Sequence, residues 1–376
     1  MNTAPHLVQG LNNDAVAADW PALGEAEIAW LATRYPALRP PCTLRWHSPR
    51  PLSAAAVVDT GNGAVFVKRH HGSVRSAAVL AEEHRFMAHL QAAGIPVVTV
   101  LRSIDGQTAL AHDGWTYEVH TLGRGEDVYR DAPSWTPPAA VAHARQAGAM
   151  LARLHRAAAG YHAPQRDTHL LVARDDLLRA ADPLASLAAM LPGRPALAAY
   201  LAGQDWQADL QRTVLPWHAG LAGRLQAEPR LWAHNDWHVS NLLWQPGAHG
   251  QAVASVLDFG LASPTSALYD LATAIERNAI AWLDSDGPVA HADLALALVD
   301  GYRQVLPLSP ARMRLLADLL PIVHLDFALS EVEYFAGITG STANADVAYH
   351  TFLLGHAAWF EGAQGQALRA ALHGAA

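Results

Sequence analysis

The chain has 376 residues, 51% of them hydrophobic and 16% charged, with a formal net charge of −8. This composition fills a large core, suits two lobes, and excludes a disordered chain; the acidic balance also excludes a nucleic-acid partner. Cys42 is the single cysteine, so no disulfide framework is expected, and with no leader-like start or bilayer-length apolar run the protein is expected to be cytoplasmic, with no membrane partner.

Residues 1–20 carry little signal. A helix is expected over 21–35, with Ile28, Leu31 and Ala32 on one face, Pro21 near its start and Pro36 ending it. Strands are expected at 42–46, 54–60 and 64–69, the last two joined by the hairpin turn Gly61-Asn62-Gly63. Lys68, near the end of the third, is the one lysine among 26 basic residues. A compact ammonium in a chain that otherwise uses guanidinium points to a task that arginine does not perform. A helix over 75–93 ends at Gly94, with Pro96 beyond. Leu80, Glu83, Met87 and Leu90 share its apolar face, so the Glu83 carboxylate needs a partner. Lys68 is the expected one.

Two more strands, 97–102 and 107–111, followed by 115–120, bring the strand-like stretches to six, from which a five-stranded antiparallel sheet is expected. Thr121-Leu122-Gly123-Arg124-Gly125 interrupts that pattern, and nothing matches a Walker motif. From Pro137 the chain turns helical, first over 142–158. Two or three helices are expected across 175–229, separated at Pro183, Pro192-Gly193 and Pro216. Further helices are expected over 269–282, 292–304, 310–337 and 344–372. Asp326, Ser330 and Glu333 share a face of the 310–337 helix. A solvated acidic face is the default there, and binding of an ammonium is the alternative.

Residues 232–260 organise the rest. Two apolar runs, 242–244 and 252–257, flank Gln-Pro-Gly-Ala-His-Gly-Gln and read as a β-hairpin. Asn241 enters its first strand and Asp258 leaves its second. Strands lie roughly 4.8 Å apart, so the two side chains can share a hard cation such as Mg²⁺. Asp236, just upstream, is left to accept a proton. That arrangement serves phosphoryl transfer from a nucleotide to a hydroxyl. The same stretch also offers His234, Asp236, His238 and Asp258, the ligand types of a metal-dependent hydrolase. Trp232, Trp237 and Trp244 are expected to pack.

His234-Asn235-Asp236-Trp237-His238-Val239-Ser240-Asn241, followed by Asp258-Phe259-Gly260, resembles the catalytic and metal-binding loops of the aminoglycoside phosphotransferase and choline kinase family. The family loop usually reads His-Gly-Asp-Leu-His-Pro-Gly-Asn. Asn235 stands for its first glycine, a mild exchange because Asn tolerates left-handed backbone. Val239-Ser240 replaces Pro-Gly.

The resemblance implies an α+β, two-lobed protein-kinase-like fold. Its N-terminal extension is 1–40, its nucleotide-binding lobe 41–120, its hinge 121–125 and its helical lobe 126–376. It implies a small-molecule kinase using ATP or GTP and Mg²⁺, with a metabolite or an aminoglycoside-like acceptor. Asp236 is the implied catalytic residue, and Asn241 and Asp258 are the implied metal ligands. Lys68, positioned by Glu83, holds the nucleotide phosphates. Thr121 C=O and Gly123 N–H meet the adenine edge, with His120 behind it. An Asp at position 270 braces the catalytic loop, and His155 is a packed histidine. The turn at 47–53, where a phosphate-covering loop would lie, has no glycine and offers Ser48 and Ser53 instead. That departure leaves a catalytically silent, nucleotide-binding regulator as a further reading.

Overall fold

The computed structural model describes residues 7–11, 14–247 and 252–376. The chain forms two compact units, Met1–Arg124 with Ser255–Leu257, and Gly125–Ala254 with Asp258–Ala376.

The first unit is built on a five-stranded antiparallel sheet. Its strands are β1 (Thr43–His47), β2 (Ala54–Thr60), β3 (Gly63–His71), β4 (Ala109–His112) and β5 (Trp115–Thr121), in the spatial order β1-β2-β3-β5-β4. Alternation divides the sheet chemically. Val65, Val67, Tyr117 and Val119 join Ile28 and Leu31 of α1 (Glu25–Ala32) in one apolar core. Lys68 and His70 alternate with those apolar residues on β3, and Glu118 and His120 on β5, so they belong to the other face. Over that face lies α2 (Ala77–Ala92), capped by Ser76, whose hydroxyl accepts from Val79 N–H at 3.2 Å. Gly94 follows with φ 84°, a left-handed stop that glycine takes without strain.

Two expectations for this unit are corrected. The first helix begins at Glu25, not near Pro21. The Pro21 carbonyl instead accepts from buried Arg69, which also pairs with Glu27 at 2.6 Å. Residues 97–102 form no strand of the sheet. They make isolated bridges, Val97 to Val256 and Val100 to His120. Pro96 supplies no donor at their start, and its carbonyl accepts from Val256 N–H instead.

The second unit is mainly helical. α3 (Val141–Ala158) packs closely on α4 (Ala292–Arg303). Between 175 and 229 run six short α-helices and a 3₁₀ turn rather than two or three helices. Pro183, Pro195 and Pro216 sit in first turns. There the missing N–H costs nothing, so these prolines start helices instead of merely dividing them. The stretch 310–337 divides near Pro321 into α5 (Pro310–Leu319) and α6 (Leu325–Tyr334). The stretch 344–372 also divides, and its 347–355 part is π-helical.

Candidate active site

The loop at 234–241 lies between β6 (Leu231–Ala233) and β7 (Leu242–Trp244). β7 pairs with β8 (Val253–Val256), and Gln245 N–H donates to Ala252 O at 2.9 Å. Residues 248–251 of the expected turn lie outside the described residues. β9 (Ser263–Thr265) pairs antiparallel with β6.

The loop backbone is held from below by α7 (Ala267–Ala279). Asp270 is fully buried and accepts from His234 N–H at 2.9 Å and Asn235 N–H at 2.8 Å. It also contacts His155 Nε2 at 3.0 Å, and His155 Nδ1 meets Tyr302 Oη at 2.9 Å. Asp270 therefore braces the loop, and His155 is a packed, bonded histidine. Two turns along the same helix, Asn278 Oδ1 accepts from Val239 N–H at 3.0 Å, and its amide donates to Trp237 O at 2.8 Å.

Asn235 adopts φ 61°. It does more than tolerate that conformation. Its amide donates to Ser263 O at 3.1 Å, and its oxygen accepts from Thr265 Oγ1 at 2.7 Å. A glycine would leave those groups without this partner.

Asp236 is half-buried. Asn241 Nδ2 donates to its backbone oxygen at 2.9 Å and to its carboxylate at 3.2 Å, and His238 Nε2 stands 3.5 Å away. The Asp236 carboxylate, expected to be left to accept a proton, is also paired with Arg277 of α7. Burial pushes the Arg277 guanidinium down to about 10, against the opposing charge of Glu331, so it stays a cation at neutral pH. Its carbon lies 5.1 Å from the Trp135 ring and 5.3 Å from that of Phe327. Sequence reasoning missed Arg277. The available signal was Glu276-Arg277-Asn278, a polar triplet near the end of a mostly apolar helix.

Bonding through Nδ2 keeps the Asn241 carboxamide oxygen, the atom a hard cation would take, out of that contact. Asp258 follows β8 closely and is exposed, with φ 52°. Hard oxygen donors at the open end of a hairpin fit Mg²⁺.

The hydrolase set does not converge. Among the described residues, groups of three donors close enough to share an ion are His84–Glu118–His120 and Glu276–His324–His356. His234 is buried, and its Nδ1 accepts from Asp236 N–H at 3.2 Å. An open depression of about 370 Å³ lined by Tyr161, Arg230 and Trp232 includes none of the candidate residues.

The acceptor candidates on α6 are committed elsewhere. Asp326 is buried and accepts from Leu177 N–H at 3.2 Å, Ser330 Oγ accepts from Leu171 N–H at 2.6 Å, and Glu333 pairs with Arg194 at 2.7 Å. That face ties the helix to its neighbours, so it is not a solvated acidic face.

In the first unit, Lys68 lies directly across from Glu118 in the β3–β5 register. Glu83 is buried on α2. His120 points its Nε2 at Glu118, 2.9 Å away. Thr121 closes β5 against Val65, and Gly123 follows outside regular structure. Ser48 is buried, and its hydroxyl accepts from Arg50 N–H at 3.2 Å. Trp232, Trp237 and Trp244 all pack in the interior, as expected.

The family model described as "Phosphotransferase enzyme family" matches residues 53–316. A homoserine kinase of Caulobacter sp. (strain K31) is 30% identical over 188 residues, 49% of this chain and 48% of that protein. The chain thus matches about half the length of that curated relative. An amicoumacin kinase solved with AMP-PNP, Ca²⁺ and Ami has a TM-score of 0.57 at 14% identity, covering 88% of this chain and 95% of that one. A microcompartment-associated aminopropanol kinase gives 0.56 at 18% identity, covering 89% and 94%. An aminoglycoside phosphotransferase from Alicyclobacillus acidocaldarius gives 0.53 at 16% identity, covering 95% and 97%. At these identities the solved structures speak for the fold, which is the kinase-like α+β fold expected from the loop motif. The match over 53–316 covers most of the chain, and the chain belongs to the phosphotransferase enzyme family.

Proposed function

We propose that this protein transfers the γ-phosphoryl group of ATP or GTP to the hydroxyl of a small molecule. The observation that supports this most is the state of Asp236. Its loop is fixed by Asp270 and Asn278, and its carboxylate is gripped by Asn241 and Arg277. A carboxylate held this way orients an attacking hydroxyl. The paired guanidinium fixes the carboxylate in place, so orientation of the hydroxyl is the work assigned to it. That suits a loose transition state, in which positioning dominates. Asn241 and Asp258 would hold Mg²⁺, which when bound offsets charge on the phosphate oxygens. Lys68, with Glu83, is assigned to the donor phosphates. Thr121 and Gly123 are assigned to the base, with His120 beside it.

The acceptor is sought first among small amino alcohols. The support is the half-length likeness to a homoserine kinase and the fold shared with an aminopropanol kinase. Aminoglycosides come second. A nucleotide-consumption screen over amino alcohols, hydroxylated amino acids, sugars and aminoglycosides with Mg²⁺ tests the reading. Asp236→Asn is expected to lower kcat by at least about 10²-fold while nucleotide binding persists. Full turnover in that variant would remove Asp236 from the mechanism. No product with any acceptor would favour the silent, nucleotide-binding reading.

A further inference from the structure

We infer that the polar face of the first unit's sheet is a binding site for a zinc-type transition-metal ion, formed by His84, Glu118 and His120, with His70 beside them. Three imidazoles from three elements converge on one carboxylate. His84 Nε2 of α2 lies 2.6 Å from Glu118 Oε2, His120 Nε2 of β5 lies 2.9 Å from the same oxygen, and His70 Nε2 of β3 lies 2.9 Å from Oε1. Alternation brings residues 70, 118 and 120 to one face, and α2 crosses it at His84. Glu118 is 1% exposed, His84 3% and His70 7%.

His84, Glu118 and His120 each present a ligand atom within 4.8 Å of the others, a three-donor set of the kind zinc takes with a fourth position left open. Ligand atoms around such an ion lie roughly 3.3 Å apart, given bonds of about 2.0–2.1 Å. The His84 and His120 contacts with Glu118 open to that spacing through side-chain shifts of under about 1 Å each. Imidazole nitrogens select zinc, cobalt or nickel over magnesium.

The second such cluster, Glu276–His324–His356, offers three donors, and the Arg277 guanidinium already stands 4.0 Å from its carboxylate. The Glu118 group, with His70 as a third imidazole at its carboxylate, is therefore the stronger site.

The test uses the untagged full chain, stripped with chelator and titrated with Co²⁺ alone, then with Zn²⁺. One equivalent of Co²⁺ is expected to give the visible absorption of a tetrahedral ion, and one equivalent of Zn²⁺ to displace it. His84→Ala and Glu118→Gln are each expected to weaken binding at least roughly tenfold, and His356→Ala to leave it unchanged. His84→Gln replaces His84→Ala if circular dichroism shows that the alanine variant is unfolded. Absence of tetrahedral absorption, binding that survives both ligand substitutions, or loss only in His356→Ala would each overturn the site. The readout involves neither nucleotide nor acceptor, so its failure leaves the proposed kinase activity standing, and the reverse also holds.

Discussion

Arg277 is the residue that most changes the view of the site. It is buried, paired with Asp236, and framed by Trp135 and Phe327. A lone guanidinium in such surroundings is costly, so Asp236 and Glu331 stabilise it as much as it orders them. Arg277→Met keeps most of the volume and removes the charge. It is expected to lower kcat by about tenfold or more, with little change in nucleotide affinity, as read from steady-state kinetics and calorimetry. Unaltered kcat would make Arg277 a structural residue only. Two apolar rings and a cation beside the catalytic acid could not be foreseen from spacing, because Trp135, Arg277 and Phe327 are remote in sequence.

At the scale of elements, α7 does two jobs. Its first turn anchors 234–235 through Asp270, and its last turn anchors 237–239 through Asn278. The helix is itself seated in a close-packed bundle. Where α3 crosses α4, glycine stands on both helices. A Cβ at Gly148 would come within 1.9 Å of Leu298 O, and one at Gly301 within 1.8 Å of Arg145 O. Backbone cannot yield as a flexible side chain can. Gly148→Ala and Gly301→Ala are therefore each expected to cost about 3 kcal/mol or more by urea unfolding. Gly223, with open space around it, is the control. Ala there is expected to be neutral or to stabilise by up to about 1 kcal/mol. Small losses at Gly148 and Gly301 would mean that the helices sit further apart.

At the scale of the whole molecule, stability should respond to pH through buried groups rather than through net charge. Burial raises the carboxyls of Glu276, Asp326 and Glu331 to about 7. It lowers His169 and His324 to about 4 and His356 to about 3. The raised acids bind more protons folded than unfolded between about pH 4 and 7, so each lowers stability as pH rises through that window. The lowered histidines bind fewer protons folded, and each raises stability up to about pH 6.5. The two sets oppose one another, giving a flat profile over the shared range. Asp326→Asn removes one acid and keeps an oxygen for Leu177 N–H. It is expected to gain on the wild type as pH rises from about 4 to 7, by up to about 4 kcal/mol, and to hold that gain above pH 7. Parallel stability curves for the two proteins would show that Asp326 stays ionised when folded.

The order of elements, the hairpin and the loop motif were legible in the sequence because they are local. Glycine stops, alternation and the run 234–241 depend on neighbours in the chain, and Asp270 and His155 followed from the family pattern carried on those same stretches. The sequence also marked Glu83 as a buried carboxylate, from helical spacing alone. Tertiary structure decided which side chains meet. Asp236 acquires Arg277 from a helix 41 residues on, Glu118 collects histidines from three elements, and Asp326, Ser330 and Glu333 turn inward to hold their neighbours. Periodicity assigns a residue to a face. What covers that face depends on packing between segments distant in the chain, and burial then forces every charge there to find a partner.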